Sequence, residues 1–308
     1  MGGREISAKN LKEKDGEIIM KGLQGAIDIH VHSSPSIFPR SVDDFELAKQ
    51  AKQAGMRAIV LKAHEESTVS RAQLVSKVVE GIEVYGSLVL NEYVGGLNPY
   101  AVDMAIQQGA KLIWMPTGSA KHHLDHYGGK SDYKEQKSTI RLLPQKGITI
   151  LSEDGKLLPV VYDIIDLIKG SGAVLATGHL SPLETQILTH TAISRGVEKV
   201  LVAHPDLKIN KMDLSLQIEL VRMGAYVEKS MLTLMPLWKS IEPDELVAGI
   251  RQIGIEKCIL QTDFGQANHP SPTEGYGDFI QILQEQGMEE KEIECMACTN
   301  PAELLGLT

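Results

Sequence analysis

The sequence predicts a closed (β/α)8 TIM barrel, and three observations carry that prediction. Short apolar runs alternate with amphipathic stretches along nearly the whole chain, which is the pattern of parallel βαβ units. Eight such runs fall within about 250 residues, the usual size of one barrel domain. No Gly-rich turn follows the first run, where an open doubly wound sheet usually carries one.

Taken in order, Ala26–His32 (AIDIHVH) is the first predicted strand, and Ser41–Ala54 is a helix that stops at Gly55. Ala58–His64 is the second strand and Ser67–Glu80 its helix; Glu83–Leu90 is the third and Pro99–Gln108 its helix. Lys111–Pro116 (KLIWMP) is the fourth strand, and an insertion over 117–146, rich in Gly, His, Lys and Ser, follows it. Ile148–Ser152 and Lys156–Leu158 flank Asp154-Gly155, a hairpin signal, and Pro159–Lys169 resumes as a helix. Ala173–His179 is strand five. Ser181-Pro182-Leu183-Glu184 then has a capping-box pattern with Pro at the first helical position. Lys199–His204 is strand six and Asp213–Met223 a helix; Ala225–Lys229 is strand seven and Pro243–Ile253 a helix; Lys257–Asp263 is strand eight. Only about 25 residues precede strand one, too few for a second small domain. One domain over 1–308 is therefore expected, with 1–24 as an N-terminal extension.

Composition narrows the function classes. The 308 residues are 43% hydrophobic and 23% charged, which suits a folded core and not disorder. Forty acidic against 31 basic residues give −9, so a nucleic-acid partner is not expected. Cys258, Cys295 and Cys298 cannot build a disulfide framework, which points to the cytoplasm. The Cys295/Cys298 pair reads as buried thiols, there being no second pair to complete a metal site. No apolar run approaches the roughly 18 residues of a membrane span, and the polar N-terminus lacks a signal-peptide core. A small-molecule substrate remains the expected partner, with a homo-oligomer possible.

Polar residues at strand ends carry the chemistry. His30 and His32 close strand one, and residues two apart on a strand share a face. His179 ends strand five, His204 strand six and Asp263 strand eight. All these ends meet at the C-terminal mouth of a parallel barrel. Imidazole and carboxylate together suit Zn2+ best, with Fe, Mn or Ni as alternatives.

This ordered set resembles the amidohydrolase superfamily of metal-dependent hydrolases: HxH after strand one (His30, His32), His after strands five and six (His179, His204), and Asp after strand eight (Asp263). Asp28 completes a DxHxH run, and Thr299–Gly306 resembles the Asn-Pro-Ala helix of many members. The segments TGHLSP, LVAHPD and QTDFGQ also resemble an uncharacterised amidohydrolase-like family within it. The match spans residues 25–308. It implies a divalent metal, metal-activated water, Asp263 as proton acceptor and His204 polarising the substrate carbonyl. Many binuclear members place a Lys or Glu at the end of strand four. Here that strand ends Trp114-Met115-Pro116-Thr117. The simpler expectation is one ion per chain on His30, His32, His179 and Asp263, with His204 on or beside it. Glu153, His122, His123 and His126 are the groups that could supply a further ligand.

Several other residues are candidates for substrate contact. Lys62 and His64 share a face of strand two, Arg40 follows strand one, and Lys229 ends strand seven. Together the cations suggest an anionic substrate. Asp28 either orients a ligand or makes a structural hydrogen bond. The insertion is either a lid or a surface loop making subunit contacts. The leading expectation is a hydrolase of a cyclic amide, lactone or ester. A metal-dependent decarboxylase and a non-catalytic metal- or ligand-binding barrel are the alternatives.

Overall fold

The computed structural model describes residues 11–14, 17–20, 23–129 and 143–307. The remainder of the expected lid, 130–142, and most of the N-terminal extension lie outside these residues. Eight strands form the barrel: β1 (Ile27–Val31), β2 (Ala58–Leu61), β3 (Glu83–Val89), β4 (Leu112–Trp114), β5 (Val174–Ala176), β6 (Val200–Val202), β7 (Tyr226–Ser230) and β8 (Cys258–Gln261). They pair in sequence order, all parallel. The ring closes just beyond β8, where Asp263 N–H donates to the His30 carbonyl (3.0 Å) and His32 N–H to the Phe264 carbonyl (2.8 Å). A two-stranded antiparallel hairpin, Leu11–Lys14 with Glu17–Met20, stands apart from the barrel sheet. The Asp154-Gly155 hairpin shrinks to a single antiparallel bridge, Leu151 with Leu157.

Period-two alternation sorts the side chains into two cores. Ile27, Ile29, Val60, Leu112, Trp114, Ala176, Leu201 and Ile259 fill the barrel interior. Their neighbours Ile59, Leu61, Ile113, Leu175, Val202 and Leu260 pack outward against the helices. The capping box at Ser181 forms as expected: Glu184 N–H donates to Ser181 Oγ (3.3 Å) and Ser181 N–H to the Glu184 carboxylate (3.0 Å), opening the helix Pro182–Ser194. Leu304 and Leu305 of the last helix, Asn300–Leu305, join the inner core. No helix among the described residues is long and apolar enough to cross a membrane.

Seven of the eight predicted strands overrun the observed ones at their C-terminal ends, because the chain leaves the ladder there to turn functional groups into the mouth; strand seven instead runs one residue further, to Ser230. Gly178 (φ +62°) makes the turn before His179, and a Cβ on it would sit 2.3 Å from the Met115 carbonyl oxygen. His204 (φ 52°) and Asp263 (φ 55°) hold the left-handed conformation without being glycine. Such backbone is uncommon outside glycine and gathers at functional sites.

Candidate metal centre

A β-bulge aims the HxH pair. Ile27 pairs with Ala58, Asp28 with Ile59, and Val31 with Leu61, so Ile29 and His30 together oppose Val60. Strict alternation would put Asp28 on the same face as both histidines. The bulge instead leaves Asp28 level with outward-facing Ile59 and turns His30 and His32 inward. Asp28 accepts hydrogen bonds from the His30 backbone N–H (3.1 Å) and Thr262 Oγ1 (2.6 Å), and none from an imidazole. It therefore secures the bulged backbone, the structural of the two expected roles.

Burial raises the Asp28 pKa to about 7, against the pull of these hydrogen bonds. An acid raised in the folded state binds its extra proton there, so it costs stability as pH climbs from about 4 to about 7. Asp28→Asn keeps an acceptor for the His30 amide and removes the charge. It is expected to flatten that slope and to make the protein more stable than wild type at pH 8. Urea unfolding midpoints across the range check this; a variant less stable than wild type at the alkaline end contradicts it.

Four of the five expected ligands converge. Asp263 Oδ1 lies 3.1 Å from His30 Nε2 and 3.0 Å from His32 Nε2, and its Oδ2 lies 3.8 Å from His204 Nε2. All four side chains are buried. Burial pushes the Asp263 carboxyl up, but His30, His32 and His204 hold it well below the usual range, so it is ionised. Burial pulls His204 down to about 4 and His32 well below its usual value. Trp114 fills the inward position at the end of β4, its ring 4.6 Å from that of His30.

Sequence reasoning missed Glu228. It points inward from β7, level with Ile259, and is fully buried. His30 Nδ1–H donates to Glu228 Oε1 (3.1 Å), and His204 N–H donates to Oε2 (3.2 Å), which also lies 3.8 Å from His204 Nδ1. A carboxylate on Nδ1 fixes the tautomer that leaves Nε2 as a ligand and makes that nitrogen more basic. Burial raises the Glu228 pKa, but His30 outweighs it and leaves the net shift downward. Losing such a partner typically costs 10- to 100-fold in metal affinity. Glu228→Gln is expected to show a loss of that size in chelator competition, and unchanged affinity refutes the role.

Lys229, expected at the mouth, needs correction. It alternates with Glu228 and points out of the barrel, where its ammonium donates to Asp206 (2.8 Å) and Gln217 (2.9 Å). It is buried there and does not line the cavity. Lys62 lies deeper than a rim contact. Its Nζ donates to His30 Nε2 (2.8 Å) and sits 4.0 Å from the Trp114 ring centroid, beside the ligand set. Burial lowers its pKa to about 8, though Asp263 and Glu228 oppose the fall.

His179 stands beside His204 (ring centroids 5.2 Å) but outside the tight group, with its Nδ1 2.9 Å from His123 Nδ1. His123 belongs to the short helix Lys121–His126 at the start of the insertion. That helix is also tied down through His122 Nε2, which donates to the Ile209 carbonyl (2.6 Å). Glu153 is exposed on its turn and away from the cavity. His64 stacks on His32 (4.8 Å) and bonds Thr117 Oγ1 through Nδ1 (2.9 Å). Arg40 lines the cavity, its Nε donating to Ser36 Oγ (3.2 Å).

These residues fit a divalent cation. Two sets of three donors cluster tightly: His30, His32 and Asp263, and His30, His204 and Glu228. Both ring nitrogens of His204 and Nδ1 of His32 are buried without a hydrogen-bond partner. Leaving a buried polar group unpaired costs about 1–3 kcal/mol, a cost that coordination removes at any of these nitrogens that binds the ion. The ion would be held by His30, His32 and Asp263, with His204 adjacent, beside the cavity that His32 and Asp263 line.

Residues 25–228 match the model of a family of unknown function, DUF6282. The chain belongs to this family. No curated protein matches this DUF6282 chain. Among solved structures, its fold is similar to that of an amidohydrolase from Pseudomonas aeruginosa (TM-score 0.62, 12% identity, covering 92% of this chain and 96% of that one). It is also similar to an organophosphorus hydrolase from Deinococcus radiodurans (0.57, 12%, 98% and 100%). A third is a candidate 2-pyrone-4,6-dicarboxylic acid hydrolase from Pseudomonas putida (0.56, 14%, 92% and 97%). At these identities the likeness establishes that this DUF6282 chain has their barrel fold.

Proposed function

We propose that this chain is a metal-dependent hydrolase of amidohydrolase type, cleaving a C–N or C–O bond of a small anionic substrate such as a cyclic amide, lactone or ester. One Zn2+ per chain is the proposed ion. The carrying observation is the Asp263 carboxylate, within 3.1 Å of the His30 and His32 imidazoles and, with His32, lining a cavity whose wall also holds Arg40 and Lys62. The names of the structural neighbours support it. One of them denotes a hydrolase of a dicarboxylated pyrone, which is an anionic lactone.

A bound divalent ion supplies Lewis acidity, lowering the pKa of water toward about 7 and polarising a carbonyl. Asp263 takes the proton from the attacking water and returns it to the leaving group. His204, kept neutral by burial, offers an N–H to the oxyanion that develops. Glu228 keeps His30 in register, and Arg40 receives the substrate's acid group. Lys62, beside His30, adds positive potential beneath it.

The test is an assay of lactones, amides and esters with and without a carboxylate, on metal-loaded protein. Acid release supports the hydrolase, CO2 release marks a decarboxylase, and binding without turnover marks a binding protein. A charge-assisted contact is worth about 1.5–3 kcal/mol. Arg40→Met is therefore expected to lower kcat/KM roughly 10- to 100-fold while sparing the metal. A neutral ester of the same acid should lose a similar factor with the wild-type protein. If ester and acid turn over equally and the variant matches wild type, the substrate is not anchored by its charge.

A further inference from the structure

The cavity wall has two chemically opposite sectors. Arg40 and Lys62 come from the segments after β1 and β2, whereas Leu207 and Ile209 follow β6, and Leu232 and Trp238 follow β7. In an eight-stranded ring β2 faces β6, so Lys62 lies across the mouth from Leu207 and Ile209, whereas Arg40, whose segment bridges Gln266 beyond β8, and Leu232 and Trp238 beyond β7 stand on either side of the β8 end. Asp263, at the end of β8, lies between Arg40 and the β7 residues.

The apolar sector is built into the fold. Leu207 N–H donates to the His204 carbonyl (3.0 Å), Leu232 N–H to the Thr262 carbonyl (3.2 Å) and Trp238 N–H to the Met235 carbonyl (2.9 Å). His122 clasps the Ile209 carbonyl from the far side (2.6 Å). These four side chains are only 3–5% exposed and still border the cavity. A substrate carrying charge alone would leave that sector facing water, and a purely apolar one would set hydrocarbon against the cations.

We infer that the substrate is amphiphilic: a carboxylate at one end, a short aliphatic or aromatic group at the other, and the scissile bond between them. The carboxylate meets Arg40, and the hydrocarbon lies on Leu207, Ile209, Leu232 and Trp238. The reacting bond rests on the hydrolase reading, but the two-ended recognition does not, so it is tested by binding.

The probes are straight-chain carboxylic acids from acetate to octanoate, 3-phenylpropionate, and the matching alcohols, titrated calorimetrically into metal-loaded protein. Affinity should rise about three- to fourfold per methylene until the apolar sector is filled, and each alcohol should bind at least tenfold more weakly than its acid. Trp238→Ala and Leu232→Ala should each flatten the dependence on chain length. Arg40→Met should weaken every acid by a similar factor and leave that dependence intact. Affinity independent of chain length in the wild type overturns the inference, as does an unaltered slope in both apolar variants. If chain-length dependence holds but no ester, amide or lactone turns over, the hydrolase reading fails and the two-ended pocket stands. Turnover without chain-length dependence leaves the hydrolase standing and overturns the two-ended pocket.

Discussion

His30→Ala and His32→Ala are each expected to strip the purified protein of most of its metal and to abolish measurable turnover. The two imidazoles approach Asp263 Oδ1 to 3.1 and 3.0 Å from one strand, and no other described strand end supplies two donors to the same point. Loss of a partner that merely orients a ligand already costs 10- to 100-fold in metal affinity. Loss of the ligand itself should cost more, at least about 100-fold. The fold should survive, because each change removes polar atoms and leaves the surrounding hydrocarbon in place. At His30 it also strands the Glu228 carboxylate and the Lys62 ammonium, which then lie near enough to compensate each other partly. Metal content by elemental analysis, with thermal unfolding as a control, decides the matter: full occupancy in both variants means the ion is held elsewhere.

The barrel was legible because its signal is repeated eight times. Each apolar run followed by an amphipathic stretch adds to the same answer, and errors of up to three residues at the ends do not alter it. The ligand types at the ends of strands one, six and eight were legible for a related reason, since a parallel barrel brings all such ends to one mouth. What could not be read was side-chain direction. In AYVEK the last charged residue is Lys229, yet the register of β7 against β8 sends Glu228 inward with Ile259 and Lys229 outward with Leu260. That parity is set by pairing with a distant strand. The usable clue was that Tyr226 and Glu228 alternate with Val227, which marks the glutamate as facing opposite to the valine. The bulge at Ile29 and His30 was hidden in the same way: AIDIHVH alternates without a break, and only the pairing with β2 shows that Asp28 and His30 part company. The turn of His179 toward His123 depends on a helix of the insertion, which carries no strand-like period.

Asp263→Asn is expected to lower kcat by about 100-fold or more with little change in KM, the range by which positioned proton transfer usually contributes. The substitution isolates the charge. Asp263 sits at φ 55°, a conformation that Asn also tolerates well, whereas Ala there would add strain to the loss of function. The backbone around it is held by Asp263 N–H donating to the His30 carbonyl (3.0 Å) and Gln266 Nε2 donating to the Asp263 carbonyl (2.7 Å), neither of which involves the carboxylate. The carboxyl is fully ionised across neutral pH, its neighbouring imidazoles holding its pKa well below the ordinary value. The wild-type rate should therefore not be lost to protonation of Asp263 until the solution is strongly acidic. In the amide variant a carbonyl oxygen remains near His30 and His32 but cannot accept and keep a proton. Metal should be retained in part, since a neutral oxygen is a weaker ligand than a carboxylate. Rates are therefore compared per bound ion at saturating metal. A kcat per ion within threefold of wild type would show that another group accepts the proton. Glu228 would then be the carboxylate to test next, because it is the other acid in contact with both His30 and His204.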